Sequence, residues 1–347
     1  MNAAEQLAGL TLDGGWKVTS KISPVPSSGG MFSVPYVVKD KDGKEHFLKA
    51  LDFSEAFEDP DPARRLQEMT SAYNHERDVL EHCKDRRLSR VVVAVTHGYT
   101  QVPGFGKIEG RVAYLIFELA ESDVRQQVDL KNRLDCLISL SILSDVTLGM
   151  MQLHKEAIAH QDLKPSNVLT YGDAGCRVGD FGRSSRRGYH VWMDNLGVVG
   201  DRTYAPPEQL YSHFHPDFVI RRIGCDLYLL GNLAAFLFSG INITASLFSR
   251  LDAAFHYSRW NGTYDQALPH LQHAFAQVLA DLDSVVDPLV RTEVCAMVRE
   301  LCNPDLARRG HRKGIGSASQ YSLERYVSYT DLLLKRTTVS ARLRGAA

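Results

Sequence analysis

One stretch decides the fold of this 347-residue chain: His160-Gln161-Asp162-Leu163-Lys164-Pro165-Ser166-Asn167. Phosphoryl transfer needs a carboxylate that orients the attacking hydroxyl and accepts its proton, together with cations that hold the phosphate. Asp162 supplies the carboxylate, and Lys164, two residues later, supplies a cation for the transferred phosphate. Asn167 is a candidate Mg²⁺ ligand. The stretch therefore predicts a phosphoryl-transfer loop, which we call the catalytic loop.

A second motif, Asp180-Phe181-Gly182, follows Asp162 by 18 residues. Asp-Phe-Gly alone occurs by chance, but a short hairpin with its turn at residues 172–175 fits between the two motifs. Mg²⁺ favours one or two carboxylates together with phosphate oxygens. Asp180 is therefore the predicted main Mg²⁺ ligand, with Asn167 as the second. The predicted cofactors are ATP and Mg²⁺.

The order and spacing of these motifs resemble the eukaryotic-type (Hanks-type) Ser/Thr protein kinase family. The form His-x-Asp-Leu-Lys-Pro-x-Asn is similar to that of Ser/Thr kinases, and the resemblance extends over roughly residues 16–311. It implies an α+β, bilobal fold with a small antiparallel β-sheet N-lobe plus one helix and a mainly helical C-lobe. It also implies transfer of the γ-phosphate of ATP to Ser or Thr hydroxyls of a protein substrate.

The resemblance assigns roles to residues before the catalytic loop. Lys49 resembles the third-strand lysine that holds the α- and β-phosphates. Its helix partner is best matched by Glu76, and Glu68, eight residues earlier on a roughly similar helical face, is the alternative. Gly29 and Gly30 match the Gly-rich phosphate loop only in part, because one family glycine is kept and serines replace the other two. Backbone amides there can still meet phosphate.

The stretch Phe117-Glu118-Leu119-Ala120 resembles the hinge between the lobes. By this resemblance Phe117 is the gatekeeper, and the backbone from Glu118 to Ala120 contacts adenine. Asp123 stands where the family often has a ribose-binding carboxylate. The same residue type also caps helix N-termini, so a ribose contact and a cap are both kept as interpretations of Asp123.

Three landmarks of the resemblance lie after the catalytic loop. Residues 204–208 resemble the end of the activation segment, which we define as residues 180–208. Glu208 is expected to pair with Arg309 or with its neighbour Arg308. Asp226 resembles the aspartate that braces the catalytic loop from a large buried helix.

Besides the Gly-rich loop, the chain departs from the family at two further positions, so it is a divergent member. Gln161 replaces the arginine that pairs with an activation-loop phosphate, and a neutral amide gains little from a dianion. We therefore predict weak dependence on activation-loop phosphorylation. Asp201 stands where a threonine contacts the catalytic loop, and Thr203 is close enough to restore that contact by a short shift. The candidate phosphorylation sites are Ser184, Ser185, Tyr189 and Thr203.

Local patterns predict the layout of the chain. Residues 16–22 and 34–38 have strand character, and Asp-Gly at residues 42–43 signals a hairpin. Helical spacing covers residues 61–83 and 134–154, and strand candidates cover 91–95 and 112–117. The predicted domains are an N-terminal extension (1–12), an N-lobe (13–119), a C-lobe (120–315) and a C-terminal helical extension packed on the C-lobe (316–347).

Composition limits the classes of partner. The formal net charge of −1 provides no strong field toward nucleic acid or an anionic membrane, so neither is an expected partner. Six cysteines without close pairs fit a reducing compartment, and we expect a cytoplasmic protein. A homodimer or a regulatory partner is left open. The alternative functions are a nucleotide-binding scaffold without catalysis and a kinase of a small-molecule substrate.

Overall fold

The computed structural model describes residues 2–23, 33–128 and 135–345. The chain divides into two compact units. Unit 1 comprises Met1–Leu88 and Val92–Glu121, and unit 2 comprises Ser89–Val91 and Ser122–Ala347. Unit 1 contains an antiparallel sheet and one long helix, whereas unit 2 is mainly helical. The predicted α+β, bilobal architecture is therefore confirmed, and the division between the units falls two residues after the predicted boundary at 119/120.

Unit 1 is built on a six-stranded sheet in the order β1-β2-β3-β4-β6-β5, with every neighbouring pair antiparallel. Strand β3 alternates strictly between buried and half-buried side chains, which is the pattern of a sheet with one face in the core. The turn predicted at Asp42-Gly43 joins β3 to β4. The strands are β1 (Thr11–Leu12), β2 (Trp16–Lys21), β3 (Ser33–Lys39), β4 (Glu45–Leu51), β5 (Ala94–Gln101) and β6 (Arg111–Glu118).

Helix α1 (Pro62–Asp85) is the one long helix of unit 1. Asp61 caps its N-terminus, and Pro62 occupies the first helical position, where a missing N–H costs nothing. Its buried face includes Met69, Tyr73 and Glu76. The helix matches the predicted range 61–83 to within two residues at its C-terminal end.

Two predictions for the first hundred residues need correction. Residues 2–12 are part of the unit 1 core and not an extension, because Ala3, Ala4 and Leu7 pack into the same cluster as the sheet, and the Tyr36 hydroxyl donates to the Ala4 carbonyl at 2.8 Å. The strand predicted at residues 91–95 begins only at Ala94. Val91 forms instead an isolated bridge with Val178 inside unit 2.

Unit 2 is organised around two apolar helices, α3 (Cys136–Lys155) and α5 (Gly224–Ser239). The apolar residues 227–238 form the buried body of α5. Helix α9 (Glu324–Gly345) packs against α3, so the region predicted as a C-terminal extension belongs to the same unit. The remaining helices are α2 (Val124–Gln127), α4 (Pro207–Leu210), α6 (Ile243–Arg250), α7 (Tyr264–Val285) and α8 (Arg291–Leu301).

Within the described part of the chain, α3 is long and apolar enough to cross a bilayer by length and composition. Half of it is buried inside unit 2, with Leu140, Val146, Met150 and Leu153 completely covered. Burial of this kind is the pattern of a helix at the centre of a globular unit.

Short strands in unit 2 position the loops that carry the motifs. Strand β8 (Ile158–Ala159) leads into the catalytic loop, and β9 (Val168–Thr170) leaves it. Strand β10 (Cys176–Val178) pairs with β9 and ends two residues before Asp180. The remaining two are β7 (Ser122–Asp123), which pairs with β9, and β11 (Ser185–Arg186), which pairs with β8. The predicted hairpin at residues 172–175 is the β9–β10 turn.

Candidate active site

The catalytic loop is fixed to helix α5 through Asp226. This carboxylate is completely buried and accepts hydrogen bonds from the backbone amides of His160 (2.8 Å) and Gln161 (2.7 Å). His154 lies 2.9 Å from the same carboxylate through Nε2. Gln161 adopts a left-handed φ of 64°, which only a strongly supported backbone keeps. Asp226 thus fixes the backbone of the catalytic loop to helix α5.

Asp162 is held on several sides. Its Oδ1 accepts from the backbone amide of Asp201 at 2.7 Å, and its Oδ2 accepts from Nδ2 of Asn167 at 3.2 Å. The Lys164 ammonium lies 3.3 Å from Oδ2. Burial raises the pKa of Asp162, with a further increase from Asp180 and an opposing effect from Lys164. The site therefore contains an oriented carboxylate whose proton affinity is higher than that of a carboxylate in water.

Lys164 lies between two carboxylates. Besides Asp162, the side chain of Asp201 is 3.4 Å from its ammonium nitrogen. Burial opposes the charge of Lys164, but the two carboxylates outweigh it and raise the pKa of this lysine. Asp201 also accepts from the amide and hydroxyl of Thr203. Hence Asp201 itself takes the place of the expected threonine, and the anticipated shift that would bring Thr203 to the catalytic loop is wrong.

Gly200 allows the activation segment to approach the catalytic loop closely. A Cβ atom there would lie 2.3 Å from the carbonyl oxygen of Gln161 and 2.7 Å from Oδ1 of Asp162. Real side chains do not tolerate such distances, so only glycine lets the Asp201 amide reach Asp162.

Asp180 follows β10 with a left-handed φ of 62°. The adjacent Gly179 is held from both sides, because its amide donates to the Asn167 carbonyl at 2.9 Å and its own carbonyl accepts from Nε2 of His160 at 2.9 Å. The ring of His160 packs edge-on against Phe181 at 5.3 Å. His160 is thus a packed bracing residue, and Asp180 is held beside the asparagine with which it was paired in the prediction.

These residues fit a shared Mg²⁺ site. Nδ2 of Asn167 donates to the carbonyl and carboxylate of Asp162, so the side-chain oxygen of Asn167 is directed elsewhere. Among the residues that the structure describes, no group of three His, Cys, Asp or Glu side chains could hold a metal alone. Mg²⁺ commonly takes few protein ligands and completes its shell with phosphate oxygens and water, so Asp180 and Asn167 match that pattern.

Lys49 of strand β4 pairs with Glu76 of α1 in unit 1. The ammonium nitrogen of Lys49 lies 2.8 and 3.0 Å from the two carboxylate oxygens of Glu76, and Glu76 is 5% exposed. The alternative partner, Glu68, pairs with Arg64 and Arg65 on the outer part of the helix. Of the two partners considered, Glu76 is therefore the one that meets Lys49.

Glu208 and Arg309 form a completely enclosed ion pair in unit 2. The two terminal guanidinium nitrogens, Nη1 and Nη2, donate to the carboxylate at 2.6 and 2.8 Å, and Arg309 is 0% exposed. Burial opposes the charge of the guanidinium, but Glu208 outweighs it and raises the pKa of Arg309. Arg308, the alternative, pairs with Asp305 at the surface. This bond fixes the end of the activation segment to the body of the unit.

Comparison with known proteins gives the family. The chain matches the family described as protein kinase domain over residues 28–313, which is most of its length. This chain belongs to the protein kinase family. The predicted membership of the Hanks-type Ser/Thr kinases is thereby confirmed.

Curated relatives agree with this assignment at low identity. The chain is 29% identical to mitogen-activated protein kinase 17 of Oryza sativa subsp. japonica over 46% of this chain and 29% of the relative. It is 28% identical to mitogen-activated protein kinase 16 of the same organism over 52% of this chain and 38% of the relative. A probable serine/threonine-protein kinase of Dictyostelium discoideum is 27% identical over 37% of this chain and 17% of the relative. The match thus spans well under half the length of these relatives.

Three further groups of residues that the sequence assigned to nucleotide binding can be compared with the structure: the hinge, Asp123 and the Gly-rich loop. Phe117 and Glu118 lie at the end of β6, where Phe117 is buried against Phe47, and Ala120 follows in the connecting loop. Asp123 caps α2, since its oxygens accept from the amide (2.9 Å) and side chain (2.7 Å) of Gln126. The cap interpretation of Asp123 is therefore the one that the structure supports. Gly29 and Gly30, the predicted residues of the Gly-rich loop, lie outside the residues that the structure describes.

A buried arginine that the sequence reading missed completes the surroundings of Gln161. Arg222 donates to the side-chain oxygen of Gln161 at 2.5 Å, and to the backbone and side-chain oxygens of Asp194 at 3.0 and 3.1 Å. Gln161 in turn donates to the Ser185 hydroxyl at 2.9 Å. The sequence offered one indication of this contact, because Arg222 lies one helical turn before Asp226, which was itself expected to contact the catalytic loop. The kinase thus ties its activation segment to its catalytic loop through an arginine and an aspartate of its own.

The candidate phosphorylation sites separate by exposure. Ser184 and Ser185 are 1% and 2% exposed, and both hydroxyls are hydrogen-bonded. These two serines are therefore not accessible to a phosphorylating enzyme in this conformation. Tyr189 is 58% exposed. Thr203 is also exposed, but its hydroxyl donates a hydrogen bond to the Asp201 carboxylate.

Proposed function

We propose that this chain transfers the γ-phosphate of ATP to Ser or Thr hydroxyls of a protein. The observation that carries the proposal is the arrangement at Asp162, a buried carboxylate fixed by the Asp201 amide and Asn167 with the Lys164 ammonium 3.3 Å away. A base, a cation and a metal-binding amide on one short loop are the parts that phosphoryl transfer requires.

The residues divide the work as follows. Asp162 orients the acceptor hydroxyl and takes its proton, which is the role of a general base. Lys164 lies where it can neutralise charge that develops on the transferred phosphoryl group. ATP with Mg²⁺ supplies the phosphoryl group and charge neutralisation when bound, and Asp180 and Asn167 would hold the metal. Lys49, oriented by Glu76, would hold the α- and β-phosphates.

Replacement of Asp180 by Ala tests catalysis against the scaffold alternative. Loss of the main metal ligand should lower incorporation of radiolabelled phosphate into the chain or a generic protein substrate by about 100-fold. The assay compares wild type with Asp180→Ala in Mg·ATP, and thermal shift with and without Mg·ATP reports binding. If both proteins label equally little while ATP still raises the unfolding temperature of wild type, the chain is a nucleotide-binding scaffold.

We further propose that the kinase does not depend strictly on phosphorylation of its activation segment. Support comes from the contacts of Arg222, whose guanidinium joins Gln161 of the catalytic loop to the Asp194 carboxylate. In this arrangement the Asp194 carboxylate supplies the negative charge that an added phosphate would otherwise provide. Gln161 itself is neutral and would gain little from a phosphate.

Arg222→Leu is therefore expected to be more harmful than dephosphorylation. The substitution removes the donor that joins the side-chain oxygen of Gln161 to Asp194. We expect kcat/KM to fall about tenfold, equal to roughly 1.4 kcal/mol of barrier. Phosphatase treatment of wild type should change activity by less than about twofold. Arg221→Leu is the matched neighbour, because Arg221 donates to the backbone carbonyl of Asp194 and does not join Asp194 to Gln161. A tenfold loss on phosphatase treatment would contradict the proposal.

A further inference from the structure

Four arginines in or near the activation segment of unit 2 lie over aromatic rings. We call the four of them the arginine group: Arg186 lies 4.8 Å from the centre of the Tyr189 ring, Arg187 5.3 Å from Phe218, Arg202 5.9 Å from Tyr257 and Arg221 4.9 Å from Phe214. A ring beneath a guanidinium attracts it and restricts its motion. The group is thus an array of oriented cations.

Two members of the group lie on backbone that is hydrogen-bonded at or just before the catalytic loop. The backbone amide of Arg187 donates to the carbonyl of Ala157 at 3.0 Å, immediately before β8 and the loop. Arg202 follows Asp201, whose amide donates to Asp162 at 2.7 Å. The two arginines therefore belong to the backbone segments that flank the catalytic carboxylate.

The neighbouring carboxylates are engaged with other donors. Asp201 faces Lys164 and Thr203, Asp194 faces Arg222, and Asp217 accepts from two backbone amides. Arg187 and Arg202 are exposed, and neither has an ion pair within the described parts of the chain. The segment therefore presents two positive charges to solvent without a carboxylate to neutralise them.

We infer that Arg202, with Arg187 as a second contact, selects acidic peptide substrates. The inference rests on the proposed kinase function and names its substrate class: segments with Asp or Glu within a few residues of the acceptor hydroxyl. A guanidinium fork matches a carboxylate in two hydrogen bonds, and stacking on a ring reduces the freedom lost on binding. The same charges repel Lys- or Arg-rich segments, which adds discrimination against the wrong peptide.

The magnitude expected is moderate, since each exposed ion pair contributes little in water. Two pairs that act together should give roughly a tenfold preference for an acidic over a neutral peptide. The preference should weaken as salt rises, because the Debye length shortens from about 8 Å at 0.15 M to about 3 Å at 1 M.

The test uses three peptides that share one Ser acceptor and differ only in flanking Glu, Gln or Lys. With wild type we expect the kcat/KM ratio of the Glu to the Gln peptide to be about 10, and the Lys peptide to be used least. Arg202→Gln should lower this ratio about threefold because Arg187 remains, and Arg202→Lys should lower it less. The double variant Arg187→Gln/Arg202→Gln should bring the ratio close to one. Arg325→Gln is the matched control, since this exposed arginine on α9 removes the same charge elsewhere and should leave the ratio unchanged.

Several outcomes would overturn the inference. Equal use of the Glu and Gln peptides by active wild type would do so, as would an Arg202→Gln variant that slows both peptides equally, since that is the signature of a structural role. A phosphoserine-flanked peptide used more than tenfold better than the Glu peptide would assign the arginines to phosphorylated segments. If no peptide is phosphorylated, the proposed function fails separately. In that case the binding of labelled peptides to the Asp162→Asn variant is measured by fluorescence anisotropy. Equal affinity for the Glu and Gln peptides would reject the selection of acidic peptides.

Discussion

Replacement of Asp162 by Asn is expected to lower kcat for peptide phosphorylation by about 10³-fold, because a positioned general base contributes between 10² and 10⁴ in rate. The amide oxygen of Asn can still accept from the backbone amide of Asp201, so the loop should keep its conformation. Burial raises the pKa of Asp162 in the folded chain, which means that the charged carboxylate is a cost to folding above that pKa. The variant should therefore be no less stable than wild type.

The measurement is steady-state phosphorylation together with thermal unfolding of both proteins. Loss of activity with an unchanged or higher unfolding temperature is the expected pair of results. A variant that keeps more than about a tenth of the wild-type rate would remove Asp162 from the role of base.

The pH profile gives an independent check on the same residue. The base must be deprotonated, so activity should fall as pH decreases through a pKa above 3.8, the value of an unperturbed Asp. Lys164 lowers the pKa of Asp162, so Lys164→Met should move this acid limb to higher pH as well as reduce the rate. An acid limb that stays in place in Lys164→Met would show that it reports another group.

Replacement of Arg309 by Leu is expected to destabilise unit 2 by about 3–5 kcal/mol, the cost of leaving a buried charge without its partner. Arg309 is 0% exposed and makes two hydrogen bonds to Glu208. The substitution removes both bonds and leaves the buried Glu208 carboxylate without a compensating charge. Urea unfolding followed by circular dichroism measures the effect. Arg308→Leu is a matched control in the next position, and we expect less than about 0.5 kcal/mol from its exposed pair with Asp305.

The double variant Glu208→Leu/Arg309→Leu separates the missing charge from the lost packing. It leaves no unpaired charge, so it should recover a large part of the stability lost in Arg309→Leu. A double variant as unstable as the single one would assign the loss to packing around Tyr228, over whose ring the guanidinium lies at 5.2 Å.

The sequence predicted much of the fold because its strongest signals are local. Helices α1 and α3 and strand β6 follow from the spacing of apolar residues, and the turn at Asp42-Gly43 follows from turn chemistry. The N-terminal segment was misjudged, since nothing in residues 2–12 has a clear period. Only contact with Tyr36 and the sheet shows that these residues belong to the core.

The candidate site was predictable where motif and spacing agree, as at Asp162, Lys164, Asn167 and Asp180. It was not predictable where two residues of one type compete for a partner. Glu68 and Glu76 are both glutamates of helix α1, and the choice depends on which of them packs next to Lys49 of strand β4. Asp123 was likewise open until its contacts with Gln126 were known.

By itself, the sequence determined that this chain is a protein kinase, because the residues of the catalytic loop and of Asp180-Phe181-Gly182 lie close together along the chain. Only the tertiary structure joined Arg222 to Gln161 and Asp194, Asp201 to Lys164, and Arg309 to Glu208. These partners lie between 28 and 101 residues apart. Electrostatic interactions act over a few ångströms in space, and distance along the chain does not reveal which charges folding brings that close.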